Sequence, residues 1–320
     1  MRRSQQSFAA AALTVAALGS VLMAAPANAD ADNAAAVADQ VAPQLLANAS
    51  ELSNAGDGID ASAAGTDVTY PSTTSDAIAV RTQVGDTERE YSIGIPTTGS
   101  AAQQYPGLNA VSYDNEDGSA TVSSTRDDGS VVIGTTIDGA SAPTEYSYPI
   151  AVDGAPAVLT VEDDGAVTVA DTAGDVITHF LTPWAVDAAG TDVPTRYEVH
   201  GNVLTQVVQH ANATYPVVAD PTSSKYFKKV VVDKTSDKRG TIVHVYPGPG
   251  MPPVGRASGD SIFNDYKTLV SATYEGRKYR DQLVCHWANA GRFKVPWNLD
   301  AWRPDVGYTR TVAAGCNPNP

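Results

Sequence analysis

The chain has 320 residues, 42% of them hydrophobic and 18% charged. This is enough for about two folded domains with a buried core, so the chain need not be disordered throughout. Its formal charge of −15 hides a strong asymmetry. Residues 221–320 contain 15 Lys and Arg against 8 Asp and Glu, giving +7, whereas residues 1–220 contain 6 against 28, giving −22. The sequence therefore predicts an acidic part followed by a basic part.

Residues 1–29 have the pattern of an export signal. Arg2-Arg3 precedes an apolar run over residues 8–25, and Ala27-Asn28-Ala29 matches a small-residue cleavage site. We predict cleavage before Asp30 and no stable transmembrane segment afterwards. An uncleaved anchor is the alternative, because the run approaches the length that spans a bilayer. The cleaved protein is expected to be secreted, either extracellular or loosely associated with the cell wall.

Residues 30–75 are rich in Ala, Asp and Thr and predict a linker. Val37, Val41 and Leu45 share one side of a possible helix, but Pro43 interrupts it, so the predicted helix is weak.

Residues 76–220 predict an acidic all-β domain, arranged as a hairpin meander or a sandwich. The predicted strands are seven runs rich in β-branched residues, at 77–82, 90–95, 120–124, 131–137, 146–152, 157–161 and 166–170. Acidic turns that end in Gly separate these runs, at 116–118, 127–129, 138–139, 153–154 and 163–165. Asp-Gly suits tight hairpins, and none of these turns has the spacing of a calcium loop, so we interpret them as solvated turns. We place the end of this domain at 220–224, where the charge changes sign.

Residues 225–320 predict a small basic α+β domain. The runs 226–232 and 241–246 predict a hairpin, and one amphipathic helix follows. Its apolar face is formed by Ile262, Phe263, Tyr266, Leu269 and Val270. Residues 276–320 are predicted as strand or loop.

Cys285 and Cys316 are the two cysteines, and both lie in the basic part. In an exported chain two cysteines usually pair, so we predict a disulfide that staples the C-terminal domain. The sequence has no C-x-x-C and no H-E-x-x-H spacing, which are motifs of zinc sites. We predict no metal site and no cofactor.

One dense cluster contains the residues best suited to chemistry. His286 could act as a general base if Asp281 or Asp300 oriented its imidazole, with Arg303 nearby. Two alternatives stay open. In the structural one, Trp287, Trp297 and Trp302 build a small core against the disulfide and Arg303 pairs with a carboxylate; in the other, the aromatic residues form a sugar-binding platform. The sequence lacks a G-x-S-x-G nucleophile motif, so these four residues remain candidates and no catalytic residue is assigned.

Basic residues recur along the C-terminal part. The candidate binding residues are Lys228, Lys229, Arg239, Arg277, Lys278, Arg280, Trp297, Trp302 and Arg303. Outside a cell the targets for such charge are anionic wall polymers, lipid surfaces and extracellular nucleic acid, and intracellular nucleic acid is not expected as a partner. The alternatives are a solvated face or a patch that packs against the acidic part, which would then shield it electrostatically until a target binds.

The C-terminal part contains a series of short motifs that resembles an uncharacterised domain family. The motifs are Asp281-Gln282, Cys285-His286-Trp287, Trp297-Asn298-Leu299-Asp300, Trp302-Arg303-Pro304-Asp305 and Cys316-Asn317-Pro318. This family of unknown function occurs at the C-termini of secreted proteins from high-GC Gram-positive bacteria. The resemblance covers roughly residues 226–320 and implies a modular protein with an exchangeable C-terminal end. It implies no activity.

Three functional hypotheses follow. The preferred one is a non-catalytic basic module that binds a polyanionic component of the cell envelope and is carried by the acidic β-rich part. The second is a secreted antibacterial effector that is released from its carrier near Asp220. The third is a hydrolase that uses His286.

Overall fold

The computed structural model describes residues 33–56, 58–84, 87–224, 226–248, 251, 254 and 258–319. The signal peptide expected over residues 1–29 lies outside the described residues. Within the described residues no helix is both long enough and apolar enough to cross a membrane.

Residues 33–224 are here called the acidic region, and the described part of this range contains one helix and nineteen strands. The helix is α1, Ala34–Val41. The strands are β1 Leu52–Ala55, β2 Gly58–Ala63, β3 Thr66–Pro71, β4 Ile78–Val84, β5 Thr87–Ile93, β6 Gln103–Tyr105, β7 Ala110–Asp114, β8 Ser119–Thr125, β9 Val131–Ile137, β10 Glu145–Val152, β11 Ala155–Pro156, β12 Val158–Val161, β13 Val167–Ala170, β14 Val176–Phe180, β15 Ala185–Asp187, β16 Thr195–His200, β17 Val203–Val208, β18 Val217–Ala219 and β19 Thr222–Ser224.

These strands form two large antiparallel sheets. The first has nine strands in the order β1-β2-β3-β4-β5-β10-β17-β16, with β11 paired to β10. The second has ten strands in the order β12-β13-β14-β19-β9-β8-β7-β6, and β18 bridges β9 and β15. Consecutive strands are mostly neighbours, as the closely spaced Asp-Gly turns predict.

The two sheets pack face to face as a sandwich. Along β10 the side chains alternate, so that Tyr146, Tyr148, Ile150 and Val152 are buried while their neighbours are more exposed. They join one apolar core with residues of the second sheet such as Val167. The predicted fold class, a β-rich region followed by a small disulfide-stapled α+β region, is confirmed.

Helix α1 and the turns after it cover the outer face of the second sheet. Its alanines and Leu45 pack against Val122 of β8 and Val132 of β9, which explains why both strands are buried on two sides. Gly134 makes this possible, because a Cβ at that position would lie 2.3 Å from Leu45 Cδ2.

The linker expected over residues 30–75 is therefore wrong, because α1 and β1–β3 of this range belong to the folded layers. Helix α1 ends two residues before Pro43, as the sequence indicated. Strands β2 and β3 bury Ile59, Val68 and Tyr70 in the sandwich core and turn Asp and Thr outward. Because this segment has few apolar residues, the alternation of buried and exposed side chains along β2 and β3 was not recognised in the sequence.

The remaining residues, 226–319, are here called the basic region. They form an antiparallel sheet in the order β20-β21-β22, with strands β20 Phe227–Asp233, β21 Ile242–Pro247 and β22 Trp297–Asp300. The helices are α2 Gly259–Thr268, α3 Arg277–Cys285 and α4 Tyr308–Ala313, with a π-helical turn at His286–Ala290. This region has its own apolar core.

The strand or loop predicted for residues 276–320 is corrected by α3 and α4. Tyr279, Leu283 and Trp287 recur every four residues and are all buried in the core of the basic region. This is helical spacing, and the charged residues between them obscured it.

The connection between the acidic and the basic region is short. The boundary expected at 220–224 coincides with β19, which is buried and pairs with β9 and β14. Only residues 225 and 226 separate β19 from β20. Cleavage near Asp220, as the effector hypothesis requires, would cut a buried segment. The limits of the domains as folding units stay a prediction.

The disulfide joins Cys285, at the end of α3, to Cys316, just after α4. It closes a loop of 31 residues that contains β22. We predict that Cys285→Ser together with Cys316→Ser lowers the free energy of unfolding of the basic region by about 3–4 kcal/mol, because the unfolded chain regains the entropy of that loop. Urea unfolding of the oxidised chain and of the variant measures this. Added reductant should have no further effect on the variant, and equal midpoints for both would contradict the prediction.

Asp220 is a buried carboxyl in the acidic region. Its Oδ1 accepts hydrogen bonds from the Trp184 backbone N–H at 2.9 Å and from Gln206 Nε2 at 3.1 Å. Burial raises the pKa of Asp220 to about 8, against the opposing effect of these hydrogen bonds. At neutral pH Asp220 is therefore held as the neutral acid.

Between its ordinary pKa and about pH 8, the folded chain retains a proton on Asp220 that the unfolded chain has released. The free energy of unfolding therefore falls as the pH rises through this window, by up to about 1.4 kcal/mol per pH unit. We predict that Asp220→Asn, which keeps the Oδ1 acceptor, gains stability relative to the parent chain as the pH rises from 5 to 8. Urea unfolding across that range tests this, and a constant difference between the two chains would contradict it.

Candidate functional site at the junction of the acidic and basic regions

Two lysines of β20 form ion pairs across the junction. Lys228 Nζ lies 3.2 Å from Glu162 Oε1, and Lys229 Nζ lies 2.8 Å from Asp164 Oδ2. Both carboxylates belong to the turn between β12 and β13. Lys229 also lies over the ring of Tyr246, 4.8 Å from its centroid. The first two predicted binding residues thus already contact anions of the same chain.

The pKa values of both carboxyls reflect this contact. The hydrogen bond from Thr168 and the adjacent Lys228 lower the pKa of Glu162. Burial raises the pKa of Asp164, but the hydrogen bonds from Lys229 and the Ala166 backbone N–H outweigh it, so this pKa also lies below its ordinary value. Both groups are therefore ionised at neutral pH, and the contact would weaken as the pH falls through their lowered pKa values.

A second contact places α2 against the turn between β8 and β9. Asp265 of α2 is buried, and it lines a cavity of about 240 Å³ together with Arg126 and Asp128 of the acidic region. Burial and the neighbouring charge of Asp128 raise the pKa of Asp265 well above its ordinary value. A proton held by Asp265 relieves the repulsion between the two carboxyls.

Two of the turns interpreted as solvated therefore face the basic region. The glycines at 129 and 165 have the positive φ angles that the Asp-Gly pattern predicts. The adjacent Asp128 and Asp164 are turned toward α2 and β20. A local turn pattern fixes backbone geometry, whereas the partner of its side chains comes from a distant part of the sequence.

Beside these contacts runs a cleft of about 1110 Å³ between the two regions. The cleft is lined by aliphatic side chains of β20 and of the segments around Leu181 and Leu269, together with aromatic, basic and acidic side chains. The latter include Arg126, Asp164, Trp184, Asp192, Lys229, Lys234, Lys267, Tyr274 and Glu275. Clefts between domains are frequent ligand sites. Of the predicted binding residues, Lys229 alone is among the lining residues. No sequence pattern indicated that Trp184 and Tyr274 line one cleft, because they are 90 residues apart.

The two aromatic residues of the cleft are held by buried neighbours. The Trp184 backbone donates to Asp220, and its carbonyl accepts from the Asp220 backbone N–H at 3.2 Å. The Tyr274 carbonyl accepts from the Tyr266 hydroxyl at 2.9 Å, and its ring meets the Tyr279 ring edge-on. Both side chains are half-buried, so each leaves part of its ring surface facing the cleft.

His286 lies inside the basic region. Its side chain is 1% exposed, and its Nε2 donates to the Asn298 carbonyl at 3.1 Å. Burial, followed by the charge of Lys294, lowers the pKa of His286 to about 4, so the imidazole is neutral at pH 7. It is enclosed rather than open to a substrate.

The carboxylates proposed as its partners are engaged elsewhere. Asp281 contacts Arg280 at 3.3 Å, and burial raises its pKa. Asp300 accepts a hydrogen bond from Arg303, whose Nη1 also donates to the carbonyls of Asn317 and Pro318 at 3.0 Å. Arg303 thus fixes the C-terminal tail. Among the described hydrogen bonds, none joins His286 to either carboxylate, and this geometry favours the structural alternative.

The other basic candidates contact carboxylates or carbonyl groups of the basic region. The pairs are Arg239–Asp237 at 2.6 Å, Arg277–Asp305 at 2.9 Å, Arg280–Asp260 at 2.6 Å and Lys278 Nζ–Ala301 carbonyl at 2.5 Å. Arg239 and Arg277 remain largely exposed. The guanidinium carbons of Arg239 and Arg303 lie 4.6 and 5.8 Å from the centroid of the Trp302 ring. Trp297 is buried, and its indole N–H donates a hydrogen bond to the Gly291 carbonyl.

Over the described parts of the chain, no three His, Cys, Asp or Glu side chains are grouped so that they could hold a metal ion.

Comparisons with known proteins give one family match and a few uncharacterised relatives. Residues 234–319 match a family described as "Protein of unknown function (DUF2599)". Uncharacterised proteins of Mycobacterium bovis and Mycobacterium tuberculosis are 35% identical to this chain over 68 residues, which is 20% of this chain. The chain spans 45% of the length of these relatives. No solved structure matches the chain. The family match confirms a C-terminal domain of unknown function, and it begins after β20, which carries Lys228 and Lys229.

The ion pair between Lys229 and Asp164 allows a direct measurement of the junction. We predict a coupling energy of about 0.5–1 kcal/mol from a double-mutant cycle of Lys229→Ala and Asp164→Asn, because both side chains are partly exposed to solvent. Urea unfolding at low and high salt provides the values, and the coupling should shrink with salt. The pair Lys238→Ala and Glu88→Gln serves as the control without coupling. Equal coupling energies in the two double-mutant cycles would contradict a stabilising contact between Lys229 and Asp164.

Proposed function

We propose that this is an exported two-part protein whose basic region binds a polyanionic component of the cell envelope, while the acidic region covers part of the binding face. Export is supported by the basic, apolar and small-residue segments at the N-terminus and by the disulfide between Cys285 and Cys316.

The observation that carries this proposal is the pairing of Lys228 and Lys229 with Glu162 and Asp164. The acidic carboxylates occupy the positions that anionic groups of a ligand would take. Partly exposed ion pairs contribute little stability each and are screened by salt, so a polymer with many anionic groups can replace them. Exposed cations elsewhere on the basic region, such as Lys234, Lys238, Lys294 and Arg310, would extend the contact.

The hydrolase and effector hypotheses receive less support from the geometry. His286 is enclosed and has no carboxylate partner among the described hydrogen bonds. The segment that would be cut to release an effector is buried in the second sheet. Masking by the acidic region needs neither catalysis nor cleavage.

Retention on purified Gram-positive cell walls tests the proposal. The full chain is applied across a salt series to walls that carry their anionic polymer and to the same walls after its removal. We expect retention at physiological salt only on the intact walls. The double variant Glu162→Gln/Asp164→Asn should be retained several-fold more strongly, because it releases Lys228 and Lys229.

A matched variant separates masking from overall charge. Glu88→Gln/Glu90→Gln removes the same two charges on β5, where the carboxylates pair with Arg81. Its retention should stay close to that of the parent chain. Equal gains for the two double variants would refute masking, and no retention of the parent or of the junction variant would refute binding.

A further inference from the structure

The cleft between the two regions differs from a simple polyanion site. Its volume of about 1110 Å³ exceeds the roughly 300–1,000 Å³ usual for small-molecule pockets, which favours an extended ligand. Its lysines, at positions 229, 234 and 267, come from β20, the turn after it and α2. Carboxylates at Asp192 and Glu275 line the same cleft.

Because lysines and carboxylates line the same cleft, the cleft favours some classes of ligand over others. A densely charged polymer, such as polyphosphate or nucleic acid, requires a surface of one sign, and Asp192 and Glu275 would repel it. Hydroxyl groups, in contrast, donate hydrogen bonds to carboxylates. A ligand that combines widely spaced anionic groups with many hydroxyls therefore fits lysines and carboxylates in one cleft.

The aromatic lining adds a second requirement. Trp184 and Tyr274 offer apolar ring faces with a polar edge. Hydrogen bonds from their backbone groups to Asp220 and Tyr266 hold the segments that carry them, and the Tyr274 ring also packs edge-on against Tyr279. The C–H face of a sugar ring packs against such a surface, whereas a bare phosphate chain has no apolar face to bury. Aromatic side chains that are already half-buried lose little conformational freedom when a ligand packs on them.

We infer that the cleft binds an anionic glycan, whose acidic groups pair with Lys229, Lys234 and Lys267 and whose rings pack on Trp184 and Tyr274. This inference rests on the proposed function and names its ligand class. The acidic group of the glycan takes the place of Asp164 on Lys229, so that binding in the cleft weakens one of the two ion pairs of the junction.

Three probes distinguish the ligand classes in titrations of the full chain at physiological salt. Oligogalacturonate supplies rings and spaced carboxylates, a maltooligosaccharide of equal length supplies rings without charge, and polyphosphate supplies charge without rings. Isothermal calorimetry measures each affinity. We expect oligogalacturonate to bind at least tenfold more tightly than either of the other two.

Two lysines of the same turn provide a matched pair of variants. Lys234 lines the cleft, whereas Lys238 is exposed on the same turn and is not among the lining residues. Lys234→Ala should weaken oligogalacturonate binding about fivefold, and Lys238→Ala should leave it unchanged. Trp184→Phe, which keeps an aromatic ring in the folded chain, should weaken both oligosaccharides and leave polyphosphate unaffected.

Each other outcome overturns the inference. Polyphosphate binding as tight as that of oligogalacturonate, or equal losses for Lys234→Ala and Lys238→Ala, would show a generic basic surface and leave the proposed function standing. Absence of binding to all three probes would remove the cleft as the site. If the chain also fails to bind intact cell walls, the proposed function falls with it.

Discussion

The way the two regions meet depends on contacts between opposite charges at their junction. Each region has its own apolar core, and none of the described core clusters contains residues of both. What joins them is Lys228 and Lys229 against Glu162 and Asp164, together with α2 on the turn that carries Asp128. Part of the charge asymmetry of the sequence is thus neutralised by ion pairs between the acidic and the basic region.

A charged junction behaves differently from an apolar one. Its ion pairs are individually weak, respond to salt and can be replaced by other ions of the same sign. The two residues between β19 and β20 keep the regions adjacent even when these contacts are exchanged. Because the cleft lies beside the ion pairs and shares Lys229 with them, a ligand in the cleft and the acidic region compete for the same cation.

The sequence predicted those parts of the fold that depend on local patterns. Strand Val131–Ile137 has the predicted limits, and Gly129 and Gly165 adopt the positive φ angles that Asp-Gly turns imply. Strands β2 and β3 were missed because small and polar residues fill most of their positions. Helix α3 was missed because Arg280, Asp281 and Gln282 interrupt the apolar pattern between Tyr279 and Leu283.

The candidate site was less predictable, because it depends on contacts between distant segments. The sequence identified Lys228 and Lys229 as basic, and it left open whether they face solvent or the acidic part. Glu162 and Asp164 follow the same local pattern as acids in solvated turns, and only the packing of β20 against their turn distinguishes them. Trp184 and Tyr274 belong to different regions, so no motif joins them.

The most direct test of this account is the pKa of the Asp164 carboxyl, measured by carbon NMR in the full chain with and without an intact wall polymer. The account predicts a pKa below the ordinary value in the free chain, because Lys229 lies against Asp164. Addition of the polymer should raise it as Lys229 changes partner. An ordinary pKa in the free chain, or a lowered one that the bound polymer leaves unchanged, would contradict the account.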